Sequence, residues 1–203
     1  MRAIVARVPE KTRRKILGAA FDEFYKNGFQ GSSLNRIVDR AGTTKGALFH
    51  HFNGKNDLGH AVVREILAPQ LKEHWIDPLA HSTDPVTDLK RIFRRNWRKD
   101  MDPRQLLQGC PVNNLAQEMA PLDDRLRKAL ERIYAAWRGT VAAAFARGMA
   151  AGKVRKGLSP QKVAAFVVAA HAGMIGTAKN ARDEALLKQT SEAFFGYLDS
   201  LKP

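Results

Sequence analysis

The chain has 203 residues, with 34 Lys+Arg against 20 Asp+Glu and a formal net charge of +14. Its 44% hydrophobic and 27% charged residues exclude wholesale disorder and suit a globular protein long enough to bury a core. The single cysteine, Cys110, excludes an intramolecular disulfide and a cysteine-rich zinc site, and points to a reducing, cytoplasmic compartment.

Met1 to Pro9 lacks the apolar core of a secretory signal. The most apolar stretch, Val163 to Ala178, is shorter than the ~20 residues that span a bilayer, so no membrane partner is expected. A basic balance of this size points to nucleic acid. Residues 1–60 hold 11 Lys+Arg and 5 Asp+Glu, net +6, and residues 61–203 hold the other +8. Charge alone therefore does not locate the partner.

Apolar positions recur at helical spacing throughout and strand patterns are absent, so the fold class is all-α. Ile16, Leu17, Ala20, Phe21 and Phe24 predict a first helix over Thr12 to Asn27, ended by Gly28 in the left-handed conformation with Phe29 folded back on the last turn. Ser33 caps a predicted helix from Leu34 to Ala41, stopped by Gly42. Thr44 caps another from Lys45 to Phe52. A fourth starts near Asn56 and continues until Pro69 disturbs it or Pro78 ends it. Further helices are expected from Pro85 to Met101, from Pro111, from Leu122 to Ala150, from Pro160 with Ser159 as its cap, and from Arg182 to Leu201.

The segment from Ser33 to Phe52 has the form of a helix-turn-helix: two short helices joined by Ala41-Gly42-Thr43-Thr44. Ile37, Val38, Ala41, Leu48 and Phe52 are placed to pack the pair on the first helix. The second helix would then enter a major groove and use its N-terminal residues on base edges. Candidate DNA contacts are Ser33, Asn35, Arg36, Thr43, Thr44, Lys45, Gly46, Phe49, His50, His51 and Lys55. Thr44 and Lys45 stand at the helix start. Gly46 permits close backbone approach, Phe49 can meet a thymine methyl, and His50 and His51 can reach phosphate or base. Lys55 opens the next helix, where an ammonium and free amides can meet phosphate. Arg2, Arg7, Lys11, Arg13, Arg14 and Lys15 add phosphate-seeking charge.

The stretch from Thr12 to Leu58, and above all GFQGSSLNRIVDRAGTTKGALFHHFNGKNDL, resembles the N-terminal DNA-binding domain of TetR-family transcriptional regulators. The resemblance rests on Gly28-Phe29, Ala41-Gly42-Thr43-Thr44-Lys45-Gly46, Leu48-Phe49, His51-Phe52 and Lys55 to Leu58, and covers roughly a quarter of the chain. It implies a bacterial, homodimeric regulator, in most cases a repressor that leaves a palindromic double-stranded operator when a small-molecule effector binds. The chain departs from the family at Phe49, where Tyr is usual and its hydroxyl commonly bonds phosphate.

The division expected is a DNA-binding domain over 1–60 and a helical effector-binding and dimerisation domain over 61–203. Val163 to Ala178 is apolar nearly all round, because Ala164, Ala165, Val168, Ala169 and Ala172 cover what would be its polar face. With the pairing of the last two helices that the resemblance implies, Val163, Phe166, Val167, Ala170, Met174, Phe194, Tyr197 and Leu201 are the candidate dimer interface. Trp75, Trp97, Met119 and Trp137 are candidate effector contacts. Gly109-Cys110-Pro111-Val112-Asn113-Asn114-Leu115 resembles a segment at the sixth helix of one TetR subgroup, some of whose members respond to electrophiles or oxidants. At a helix N-terminus the Cys110 thiolate would be favoured, so a thiol-sensing repressor is the alternative reading. Lys90, Arg91, Arg94, Arg95, Arg98 and Lys99 form a basic stripe that reads as a solvated face.

No catalytic signature supports an enzyme. His50, His51, His60, His74, His81 and His171 form no metal-binding helix motif, and nucleophile-elbow, phosphate-loop and dinucleotide fingerprints are absent. Glu118, Asp123 and Asp124 read as ordinary helix-end acids. No cofactor or metal is expected.

Overall fold

The computed structural model describes residues 7–97 and 108–203, and every regular element among them is helical. In chain order these are α1 (Arg7–Asn27), α2 (Leu34–Ala41), α3 (Lys45–His51), α4 (Lys55–Val62), a π-helical turn (Val63–Leu67), α5 (Ala68–Leu71), a second π-helical turn (Lys72–Ile76) and a 3₁₀ turn (Asp77–Leu79). They are followed by α6 (Pro85–Asn96), α7 (Pro111–Met119), α8 (Asp124–Ala150), α9 (Pro160–Ala181) and α10 (Glu184–Asp199). Arg2, Arg98 and Lys99, the side chain of Arg7 and the expected run of α6 to Met101 lie outside the described residues.

The chain forms two compact units. One comprises the described residues up to Pro69 together with Pro111–Leu130, and the other comprises Gln70–Cys110 and Glu131–Pro203.

In the first unit, α1 buries Ile16, Leu17, Ala20 and Phe24 along one face against Ile37, Val38 and Ala41 of α2 and Leu48 of α3. Helix α1 begins at Arg7, earlier than the predicted Thr12, because Pro9 is tolerated in a first turn whose amides have no intrahelical partners. Its end is as expected: Gly28 takes φ +74°, and the Phe29 ring packs 5.0 Å from that of Phe24. Ser33 caps α2 by accepting from the Asn35 and Arg36 amides, and Gly42 ends it at φ 60°. Thr44 caps α3 by accepting from Ala47 N–H. Each such cap is worth about 1 kcal/mol, and together they fix where both short helices start. Pro69 does not end the fourth helical path. The wide turn Val63–Leu67, closed by Ala68 N–H to the Val63 carbonyl, precedes the ring, and helical turns run on to Leu79.

The second unit is centred on Phe93 of α6, Trp137, Val141 and Phe145 of α8, Val167 of α9 and Leu198 of α10, all at most 1% exposed. Ser159 caps α9 and Pro160 opens it, as the sequence indicates. The last helix, however, starts at Glu184 rather than Arg182. Arg182 itself takes the left-handed conformation at φ 52° and Asp183 caps α10, so two residues reverse the chain direction between α9 and α10. A non-glycine residue in this conformation leaves no signal in the sequence.

One ion pair ties α1 to the π-helical turn after α4. Arg13 donates two hydrogen bonds to the Glu65 carboxylate, at 2.5 and 2.8 Å, and Arg64 adds a third at 2.5 Å. The Arg13 bonds pull the Glu65 carboxyl down to about 2, against the opposing effect of burial. A carboxyl depressed on folding adds stability that is complete above its unfolded value of about 4.3 and is lost as pH falls through its folded value. Glu65→Gln is therefore expected to lower unfolding stability at pH 7 by on the order of 2 kcal/mol. It should also flatten the fall in stability between about pH 4.5 and 2. Urea titrations at several pH values check this, and equal pH dependence in the two proteins would contradict it.

Candidate nucleic-acid interface

The capped turn between α2 and α3 presents one continuous exposed surface. Asn35 and Arg36 on α2, and Thr44, Lys45, Gly46, Phe49 and His50 on α3, are exposed, while Ser33, Thr43, His51 and Lys55 are half-buried. Leu48 and Phe52, at 1% and 2% exposure, anchor α3 from behind. Phe49 is 54% exposed. The sequence thus separates α3 into an inward row and an outward row, and the outward row carries an ammonium, an imidazole, a phenyl ring and a glycine.

Two of the expected DNA contacts are engaged inside the protein. Arg36 Nε donates to Glu23 Oε1 at 2.5 Å, and its Nη2 donates to the Gly31 carbonyl. Glu23 is 1% exposed. Burial pushes its carboxyl up, but hydrogen bonds from Arg36 and Asn27 and the charge of Arg40 hold it below its ordinary value overall. Lys55 Nζ donates to the carbonyls of Gln30 at 3.1 Å and Ser32 at 2.8 Å and lies 5.0 Å from the Phe29 ring centroid. Burial lowers its pKa, against the charge of Glu118. Arg13, expected as free phosphate-seeking charge, is held by Glu65.

Glu118 is the residue that sequence reading missed. It is no ordinary helix-end acid: from α7 its carboxylate accepts the backbone amides of Phe29 at 2.8 Å and Gln30 at 2.7 Å. A Cβ on residue 28 would stand only 3.1 Å from Glu118 Oε2, so Gly28 provides both the left-handed turn and the room for the carboxylate. The α1–α2 corner is thereby gripped on both polarities, its amides by Glu118 and its carbonyls by Lys55. The available signal was an acid on one short helix and a basic residue at the start of another, with nothing in the sequence to join them.

With this geometry in hand, known proteins provide a frame. Residues 16–62 match the bacterial regulatory proteins of the tetR family, and residues 86–194, more than half of the chain, match the tetracyclin repressor-like C-terminal domain. The chain belongs to the TetR family. It is a DNA-binding transcriptional regulator of the helix-turn-helix type. Over 185 residues it is 28% identical to the transcriptional repressor DhaR of Mycobacterium sp. (strain GP1), covering 91% of this chain and 90% of that protein. It is 33% identical over 133 residues to the uncharacterised regulator YxaF of Bacillus subtilis (strain 168), covering 64% and 68% of the two chains. With an uncharacterised regulator from the lacX 3' region of Lactococcus lactis subsp. lactis it shares 32% identity over 124 residues, 61% of this chain and 62% of that one. A TetR-family regulator from Cytophaga hutchinsonii has the same fold, with a TM-score of 0.84 at 19% identity over 96% of each chain. One from Chloroflexus aurantiacus gives 0.82 at 23% identity, over 95% of this chain and 96% of that one.

The residues assigned to sensing separate. Trp75, Trp97 and Trp137 come together in the second unit around His171. Met119, buried on α7, belongs to the first unit, and Cys110, half-buried, stands one residue before α7. The assigned pairing residues separate too. Val163, Val167, Met174, Phe194 and Leu201 are at most 7% exposed within their own chain, so they are core and have little surface to offer a partner. Phe166, 49% exposed, and the half-buried Ala170 and Tyr197 do carry surface, and Ala165, Ala169 and Gly173 are exposed beside them on α9. A helix apolar on every side does not reveal in sequence which side faces inward. The basic stripe on α6 is engaged locally: Lys90 with Asp199, Arg91 with Asp88, Arg95 with the His74 carbonyl, and Arg94 over the Phe195 ring.

Arg36→Ala would strand the buried Glu23 carboxylate. It is expected to lower unfolding stability by about 2 kcal/mol, below the ~3–5 kcal/mol of one-sided removal from a fully buried pair, because Arg36 is half exposed. Urea denaturation measures this. A variant as stable as the parent would return Arg36 to a role on the DNA alone.

Proposed function

We propose that the protein is a homodimeric repressor whose two copies of α3 read the half-sites of a palindromic operator, and that a small-molecule effector releases it. The outward row of α3 carries this reading: Thr44, Lys45, Gly46, Phe49 and His50 are exposed in sequence on a helix held from behind by Leu48 and Phe52. One short helix reads few base pairs, so two half-sites about one helical turn apart are required. Residues 1–60 are assigned to DNA reading and 61–203 to effector binding and pairing. Ser33, Asn35 and Thr43 before α3, and His51 at its end, serve the phosphate backbone, as does the N-terminus of α4, where Gly54 makes no side-chain cap bond. The exposed apolar face of α9 around Phe166, with Ala165, Ala169 and Gly173, is assigned to the partner. Small residues there permit close helix approach. The repressor DhaR supports the sign of regulation by its likeness over 90% of its length. Release requires that the effector bind more tightly to the DNA-incompetent state.

Thiol sensing through Cys110 is the second reading. It is favoured by the position of this half-buried cysteine directly before α7, whose Glu118 grips the reader's corner.

Selection of duplexes from a random pool, followed by footprinting, tests the function. Two inverted half-sites are expected, and Lys45→Ala is expected to change the preferred base at one position per half-site while leaving the dyad intact. A single asymmetric site, or unchanged base preference in the variant, would contradict the assignment of α3. On the selected duplex, an alkylating agent that weakens the parent but not Cys110→Ser would transfer the trigger to the thiol.

A further inference from the structure

We propose that the loop between α8 and α9, carrying Lys153, Arg155 and Lys156, with Lys162 beyond it, is a second, sequence-independent surface for the phosphate backbone of duplex DNA. It lies in the second unit, outside the helix-turn-helix. The proposal rests on the DNA-binding role of the family and not on the effector reading.

The charge of the chain is unevenly placed. Residues 132–182 hold nine Lys+Arg and no Asp or Glu, which exceeds the whole +8 of residues 61–203. Two of the nine are engaged inside the protein: Arg138 pairs with Glu131, and Arg147 donates to the carbonyls of Leu79 and Ser82. Lys153, Arg155, Lys156 and Lys162 are exposed, and no ion pair among the described residues includes them. Asp199, on the tail that the loop touches, is already held by Lys90 at 2.5 Å and Lys202 at 3.0 Å. Like charges kept close on one loop repel, and a polyanion relieves that repulsion.

The loop is built rather than slack. Val154 is 1% exposed and, with Pro85, fills the room that Gly148 leaves: a Cβ on residue 148 would stand 2.8 Å from Val154 and 2.6 Å from Pro85. The amides of Lys153 and Val154 both donate to the Gly148 carbonyl, at 2.9 and 3.2 Å, and the Arg155 amide donates to the Leu201 carbonyl at 2.9 Å. Val154 is thus turned inward while the cations on both sides of it are exposed. The backbone is ordered before a ligand arrives, so binding forfeits only side-chain freedom.

The chemistry selects the ligand. Lys and Arg side chains donate and do not accept, which suits phosphate oxygens. Such contacts go to the backbone and carry no sequence information. An anionic membrane would call for apolar side chains inserted beside the cations, yet Val154 is buried and the exposed neighbours are Ala151, Gly152 and Gly157. A regulator held on its operator is surrounded by duplex at high effective concentration, where weak phosphate contacts count. The phosphates come either from the flanks of the bound duplex or from a second duplex.

The test compares three full-length proteins: the parent, the loop variant Lys153→Gln/Arg155→Gln/Lys156→Gln, and the control Lys128→Gln/Arg132→Gln/Lys188→Gln. The control removes the same charge from exposed positions elsewhere. Affinity for a long random duplex is measured over a range of salt. The loop variant is expected to bind about ten-fold more weakly at low salt, with a slope of log K against log salt shallower by about 2 to 3, one phosphate for each cation removed. The control is expected to keep the parental slope, and the loop variant the parental base preference on the operator. Equal slopes in parent and loop variant, or an equal loss in the control, overturns the site. A changed base preference overturns its independence from the reader. Loop-dependent binding to phosphatidylserine vesicles, without loop dependence on DNA, overturns the choice of ligand. Protein bound to an immobilised operator duplex is then offered a labelled second duplex. Loop-dependent capture assigns the site to a second duplex, and a loop-dependent slope without capture assigns it to the flanks of the first.

Discussion

The reader depends on one corner. Where α1 hands over to α2, the backbone amides of Phe29 and Gln30 point into the Glu118 carboxylate, and the carbonyls of Gln30 and Ser32 point at Lys55 Nζ. A tight corner leaves backbone donors and acceptors without helical partners, and those groups must find others. Here a negative and a positive side chain satisfy opposite edges of the same loop. Ser33 starts α2 directly after it, so the direction of α2, and through the three-residue turn that of α3, follows from how the corner is held. Charge-assisted bonds are roughly twice as strong as neutral ones, which suits a loop that must not yaw when α3 is loaded by DNA.

Helix α7 holds this corner from its C-terminal end. At its end, Glu118 grips the reader's corner. At its start stands Pro111, preceded by Cys110 and by Gly109 at φ 86°.

The features legible in sequence were local. Caps at Ser33, Thr44 and Ser159 and the stop at Gly42 placed the starts of α2, α3 and α9 and the end of α2, because a hydroxyl at a helix start and a glycine at a helix end act on neighbours within four residues. The illegible ones were those where a distant partner decides. Glu118 lies 89 residues from Phe29, and nothing in the α7 sequence shows that its acid serves a backbone loop. Arg36 and Lys55 read as DNA contacts because they are basic residues in a DNA-reading motif, yet a buried carboxylate and two carbonyls hold their charged groups. His171 lies on the same side of α9 as the buried Val167 and Met174, so its burial was readable from spacing, but its aromatic neighbours come from α6, α8 and the turn carrying Trp75. On α9 the apolar residues go all round, and only packing shows that Val163, Val167 and Met174 face inward while Phe166 faces out.

The most direct test of the corner is the operator affinity of Glu118→Gln, measured on a selected duplex over a range of salt. Glutamine keeps the size of the side chain but has one carbonyl oxygen, so its amide group must face one of the two backbone N–H groups. Cooperative unfolding is expected to be retained and affinity to fall at least ten-fold. The slope of log K against log salt should be unchanged, because the number of phosphate contacts is the same. Parental affinity in a folded Glu118→Gln protein would contradict the claim that this carboxylate sets the geometry of the reader.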